Sequence, residues 1–272
     1  MTRFRIPLIL CLALCGGGCG GHYTLTAGDA LGPVGGQTPV VVRLQRNDFF
    51  VLDLAVKEAL MRFRVAGEPE RAAYTDKLGY AGTTVEAPSE PGRHPLRIEH
   101  QDVEGQEVQQ ETSLYAWDPS RAAVAVDADC LPKAGSDAEL TAGSAIRKVA
   151  ESAYVVYLTR EPAGDHRRMH ERMEAAGYPD GPILLWQRER WHIVRDGPLG
   201  MPRVIVESRL VSQLPDLREM FPNIRAGLCR TKLAAKAFAS VGVQPVVIGA
   251  DVGETMEAVH RDSWQDLAER GI

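Results

Sequence analysis

The stretch Ala122-Ala123-Val124-Ala125-Val126-Asp127-Ala128-Asp129 decides how this chain is read, because a short apolar run stops there on two acids. Such a run predicts a buried strand. Downstream, helical and strand patterns alternate. Helices are predicted over 138–152, 165–176 (closed by Gly177), 214–220 and 233–241, and strands over 153–158, 183–186 and 245–248. That alternation predicts an α/β region with a parallel sheet covered by helices, spanning 121–272. Ligands of such sheets sit beyond the carboxyl ends of the strands, where Asp127, Asp129 and Thr159 fall.

Upstream, between residues 36 and 118, the period changes to two. Met61, Phe63 and Val65 alternate with Arg62, Arg64 and Ala66, and Leu96 and Ile98 alternate with Arg97 and Glu99. Pro91-Gly92 and Glu104-Gly105 supply turns, so a separate small β-sandwich is expected, consistent with two domains in 272 residues. Thr75-Asp76-Lys77-Leu78-Gly79-Tyr80-Ala81 is similar to a hairpin of bacterial immunoglobulin-like domains, with Gly79 at a positive φ. The region has no cluster of His, Cys or carboxylates, which makes it a spacer or binding module. Phe49, Phe50 and Trp117 are its candidates for core or recognition surface.

At the N-terminus, Arg3 and Arg5 precede the apolar run Ile6 to Leu14, and Cys15 and Cys19 follow among glycines. This reads as an export signal over residues 1–20, too short for a membrane-spanning helix. A cysteine behind small residues resembles a bacterial lipoprotein processing site, with Cys19 favoured for lipidation. The alternative is an ordinary signal cleaved near Gly20. The expected location is the bacterial cell envelope, with a membrane surface as partner through the lipid. A net charge of −5 and no basic, aromatic-interleaved run exclude nucleic acid as the expected partner.

Val124 to Asp129, with Tyr157-Leu158-Thr159 and Pro162, resembles the first and second motifs of haloacid dehalogenase-like phosphatases. Gly177 to Leu185, Phe221-Pro222-Asn223, Ala226-Gly227-Leu228 and Val241-Gly242-Val243 are similar to later segments of the lipin-related phosphatidic acid phosphatase branch. The resemblance implies a Rossmann-like fold and hydrolysis of a phosphomonoester, with a small phosphorylated molecule or lipid phosphate as substrate. It also implies Asp127 as nucleophile, Asp129 as acid and base, Thr159 on the phosphoryl oxygens, and Mg²⁺ held by Asp127 and the backbone of Asp129.

The chain departs from that pattern at Cys130-Leu131, at Arg160-Glu161, and at Ala234, where a metal-binding acid is expected. Asp251 is a doubtful substitute, and Arg209 is the nearest basic residue for the third motif. These departures point to weak or absent catalysis, and to a binding or scaffold role as the competing function. The same resemblance brings Cys130 and Cys229 together across the site, so a disulfide is expected, with two buried thiols as the alternative. His166 and His170 lie one helical turn apart among Arg167, Arg168 and Arg172, which reads as a solvated basic face rather than a metal site. Trp186 and Trp191 flank an expected loop that covers the site or packs beneath it.

Overall fold

The computed structural model describes residues 22–48, 52–195, 200–249 and 257–272. The signal region, Cys19, Phe49, Phe50 and Asp251 lie outside the described residues.

The described residues of the N-terminal half form nine strands: β1 (His22–Ala27), β2 (Ala30–Pro33), β3 (Gln37–Asp48), β4 (Leu52–Ala55), β5 (Leu60–Val65), β6 (Arg71–Tyr74), β7 (Tyr80–Glu86), β8 (Gly92–Gln101) and β9 (Glu107–Trp117). Strands β1, β3, β4 and β7 form one antiparallel sheet, with β3 pairing to the other three. In β5 the predicted alternation holds: Met61, Phe63 and Val65 are buried and Arg62 and Arg64 exposed. Their burial is shared with Val40, Val42 and Leu44 of β3, so the apolar faces of two sheets make one core. At the turn before β7, Gly79 has φ +80°, and a Cβ there would lie 2.3 Å from the Leu44 carbonyl oxygen, so the position requires glycine.

The C-terminal half begins with β10 (Ala123–Asp127), α1 (Asp137–Ala150), β11 (Tyr154–Thr159), α2 (His166–Ala175) and β12 (Ile183–Leu185). There follow β13 (Gln187–Val194), β14 (Arg203–Ser212), α3 (Leu214–Met220), β15 (Ile224–Cys229), α4 (Lys232–Ser240), β16 (Gln244–Ile248), β17 (Val259–Arg261) and α5 (Trp264–Arg270). Six strands form a parallel sheet in the order β12-β11-β10-β15-β16-β17, and every residue of β10 is buried. Ser136 caps α1 by accepting from the Glu139 N–H at 3.2 Å. In β15, a Cβ on Gly227 would meet the Phe238 ring at 2.4 Å, so the missing side chain is what lets α4 lie close on the sheet.

The expected fold class, a haloacid dehalogenase-type α/β domain behind a separate immunoglobulin-like sandwich, is corrected. The parallel sheet is one of three sheets, and among the described residues strand dominates, with five α-helices of which the longest has 14 residues. The chain is mostly β. After β12 it leaves the parallel sheet for the antiparallel pair β13–β14, where the sequence suggested a loop around Trp191. This hairpin joins the N-terminal half: Arg203 of β14 pairs with Tyr74, giving a mixed seven-stranded sheet ordered β13-β14-β6-β5-β8-β9-β2. One sheet thus draws strands from both halves. The alternating residues of β13 and β14 are mostly polar or partly exposed, which is why their pairing was hard to read without the partner strand.

Candidate functional site

Asp127 ends the central strand, and its carboxylate is fully buried. Its Oδ1 accepts from Trp186 Nε1 at 2.9 Å, Arg160 Nη1 at 3.2 Å and the Asp129 N–H at 3.3 Å. Oδ2 is buried with no hydrogen-bond partner among the described residues. The chain does not continue extended from Asp127 to Asp129; it enters a 3-10 turn over Ala128–Cys130 capped by Asp127 itself. Asp129 therefore stands half exposed above a buried neighbour rather than beside it on one strand face. Arg160, at the end of β11, reunites them, since its Nη1 also donates to Asp129 Oδ2. Its guanidinium lies 5.3 Å from the centroid of the Trp186 ring.

Thr159 is buried, and its hydroxyl accepts from the Glu161 N–H at 3.0 Å, shaping the turn that delivers Arg160. Asp127, Asp129 and Thr159 thus gather at the strand ends where the sequence placed them. Arg160 and Trp186 complete the arrangement. Arg160 could have been suspected from its adjacency to Thr159, whereas nothing local to Trp186 announces a hydrogen bond to Asp127.

Burial raises the Asp127 carboxyl above its ordinary 3.8, against lowering by the Trp186 hydrogen bond and the Arg160 charge. A carboxyl raised by folding stabilises the protein below 3.8, and that contribution is lost as pH rises through the folded value. Asp127→Asn, which is permanently neutral, is expected to melt higher than the parent protein at neutral pH, with the advantage vanishing below about pH 4. Thermal unfolding as a function of pH measures this, and a parent protein that gains stability relative to the variant on alkalinisation would contradict it.

The pair does not fit Mg²⁺. A hard cation wants several oxygen ligands around it, whereas here a guanidinium is bonded to both carboxylates. No group of three or more His, Cys, Asp or Glu among the described residues could hold a metal. At the position expected to carry a further acid, Ala234 is buried in the first turn of α4, its N–H donating to the Thr231 cap.

Cys130 and Cys229 are buried free thiols, not the expected disulfide. Cys130 Sγ donates to the Leu228 carbonyl at 3.8 Å, and burial pushes the Cys229 thiol up to about 12 and the Cys130 thiol well up. Both are held protonated and unreactive at neutral pH.

The histidine reading also changes. Arg167 and Arg168 are exposed, but His166 and His170 turn inward. His170 Nε2 bonds Asp29 Oδ2 at 2.6 Å. Asp29 is itself buried and also accepts from the Ile183 N–H at 2.8 Å and the Thr112 hydroxyl at 3.2 Å, which ties the β1–β2 turn to α2, β12 and β9. His166 is buried with both ring nitrogens inaccessible, and burial lowers its basicity against raising by the Asp29 charge and the Glu161 backbone. A turn residue 141 positions away in sequence gives no local sign of pairing with His170.

No family model matches the chain, and no curated protein matches it. Among solved structures it is similar to a carbohydrate acetylesterase from Xanthomonas citri, with 13% identity, 92% of this chain and 65% of that one covered, and a TM-score of 0.33. It is also similar to a family 39 glycoside hydrolase from Bacteroides cellulosilyticus WH2, with 8% identity, coverage of 82% and 50%, and a TM-score of 0.26. A third is a 2,6-sialyltransferase from Photobacterium sp. JT-ISH-224, with 9% identity, coverage of 81% and 41%, and a TM-score of 0.22. The chain spans less than two thirds of the length of each. Overlaps this loose assign neither a fold family nor an activity. With no family model matching, no metal-binding cluster among the described residues and a hairpin that leaves the parallel sheet for a mixed one, the resemblance to haloacid dehalogenase-like and lipin-related phosphatases is overturned.

Proposed function

We propose that this chain is an exported binding protein of the cell envelope, anchored through a lipid on Cys19, and that its Asp127–Asp129–Arg160 centre is catalytically silent. The observation that carries the reading is the Arg160 guanidinium bonded to both carboxylates, where a metal-dependent phosphatase would need a cation and an open approach. Asp127 is also fully buried, so a substrate phosphorus has no path to it while Arg160 and Trp186 stay in place. The anchor in this reading is the N-terminal cysteine that follows the apolar run Ile6 to Leu14.

The test is an assay of purified protein with Mg²⁺ on a broad panel of phosphomonoesters, lipid phosphates included. Turnover is expected to equal that of Asp127→Asn. Phosphate release well above that variant would sink the silent-site reading.

One observation favours a second reading. Asp127 Oδ2 is unpartnered, as the attacking oxygen of an aspartyl nucleophile would be, and Arg160 could neutralise a phosphoryl group without a metal. That reading predicts metal-independent turnover and trapping of a phosphoaspartyl enzyme, and requires Arg160 to swing away first.

A further inference from the structure

Two cavities, of about 360 Å³ and about 530 Å³, share two lining residues, Asp29 and His166, which together form the wall between them. The two halves of the chain meet at this wall, where the β1–β2 turn lies on the start of α2. The contact is close: a Cβ added at Gly28 of that turn would come 3.3 Å from His166 Nδ1. His166 is 4% exposed, and both of its ring nitrogens are inaccessible.

A neutral imidazole suits this wall and a charged one does not. Protonation makes both ring nitrogens donors in a place closed to solvent, and it puts a positive charge on the first residue of α2, where the helix dipole opposes it. The ionisable groups facing the ring are Asp29 from the β1–β2 turn, His170 one helical turn on and Glu161 from the loop before α2. Burial lowers the His166 imidazole below its ordinary 6.5, while the Asp29 charge and the Glu161 backbone draw it back up and His170 pushes it further down. Asp29 is already committed, since its carboxylate takes His170, the Ile183 N–H and the Thr112 hydroxyl. In the smaller cavity Arg93 is matched to Asp180 and Arg167 to Glu171, whereas Glu111 and Glu174 have no ion pair among the described residues. In the larger one Arg188 is matched to Asp216.

We propose that protonation of His166 opens this wall: the imidazolium swings into the smaller cavity toward Glu111 and Glu174, and the β1–β2 turn lifts from α2. The two cavities then join, and the Asp29 tie between the halves loosens. The sign follows from burial of the neutral ring: an imidazole held below 6.5 by folding stabilises the docked turn above pH 6.5, and that contribution is lost as pH falls through the folded value. This acid-operated latch does not rest on the binding role proposed above.

Hydrogen exchange of the purified protein between about pH 8 and pH 5, corrected for the intrinsic pH dependence of exchange, tests it. The Ile183 amide, which donates to Asp29, is expected to lose protection about tenfold on acidification, with a midpoint below 6.5, while amides of β5 keep theirs. The His166 Cε1 chemical shift is expected to titrate with the same midpoint. His166→Phe, which keeps a ring that cannot take a proton, is expected to abolish the step, and His166→Gln does the same should the Phe variant fail to fold. His170→Gln is expected to retain the step. The proposal is overturned if protection at Ile183 stays level across the range, if the step persists in a folded His166 variant, or if His170→Gln alone removes it.

Discussion

Asp29→Ala is expected to destabilise the protein by about 3–5 kcal/mol, since leaving a hydrogen-bonding group unsatisfied away from water costs about 1–3 kcal/mol and this side chain serves three donors. The side chain is 2% exposed and accepts from His170, the Ile183 N–H and the Thr112 hydroxyl, so its loss leaves three partly buried donors without their acceptor at once. The expected loss exceeds that of any surface ion pair in the chain, such as Arg167 with Glu171, which is worth at most about 0.5 kcal/mol. Asn at this position keeps the shape and one acceptor oxygen, and is expected to fall between the two. Urea unfolding gives the size, and hydrogen exchange gives the place: the Ile183 amide is expected to lose protection in the Ala variant more than amides of β5. A midpoint unchanged by Asp29→Ala would mean that the β1–β2 turn does not tie the two halves together.

Trp186→Ala is expected to cost about 3–5 kcal/mol, as for other buried aromatic truncations. The ring is 6% exposed, lies 5.1 Å from the Phe238 centroid, and carries Arg160 on its face. Trp186→Phe separates packing from hydrogen bonding. It keeps most of the ring and removes the Nε1 donor to Asp127, at about 1–3 kcal/mol. That hydrogen bond is the largest influence holding the Asp127 carboxyl down, so the Phe variant should also titrate Asp127 at higher pH. Carboxyl chemical shifts followed through the acid range measure this. A downward movement would show that Trp186 is not a donor to the carboxylate.

Periodicity made much of the C-terminal half legible. The predicted helix over 214–220 coincides with α3, and the predictions around α1, α2, α4, β11 and β16 lie within two residues of those elements. These segments bury one apolar face each, so the pattern is local. The β13–β14 hairpin was not legible, because its partner β6 is distant in sequence and its residues are mixed on both faces. The first strand at His22–Ala27 was missed for a related reason: its burial comes from β3, not from its own composition.

At the site, the acids and Thr159 were readable from the place where an apolar strand stops. Their condition was not. Whether Asp127 and Asp129 face a metal or a guanidinium depends on the rotation of Arg160 at the end of a neighbouring strand. The motif resemblance misled because it matched residue order, while the chemistry rests on what fills the space between the carboxylates. Likewise His166 and His170 looked solvated beside three arginines, since the acid that draws His170 inward belongs to the distant β1–β2 turn.

Arg160 is bonded to both carboxylates where the phosphatase reading puts a metal ion. Electron paramagnetic resonance of Mn²⁺ titrated into the purified protein distinguishes the two. Free Mn²⁺ is expected throughout the titration, as with Asp127→Asn. A bound Mn²⁺ signal of one equivalent that Asp127→Asn abolishes would contradict it.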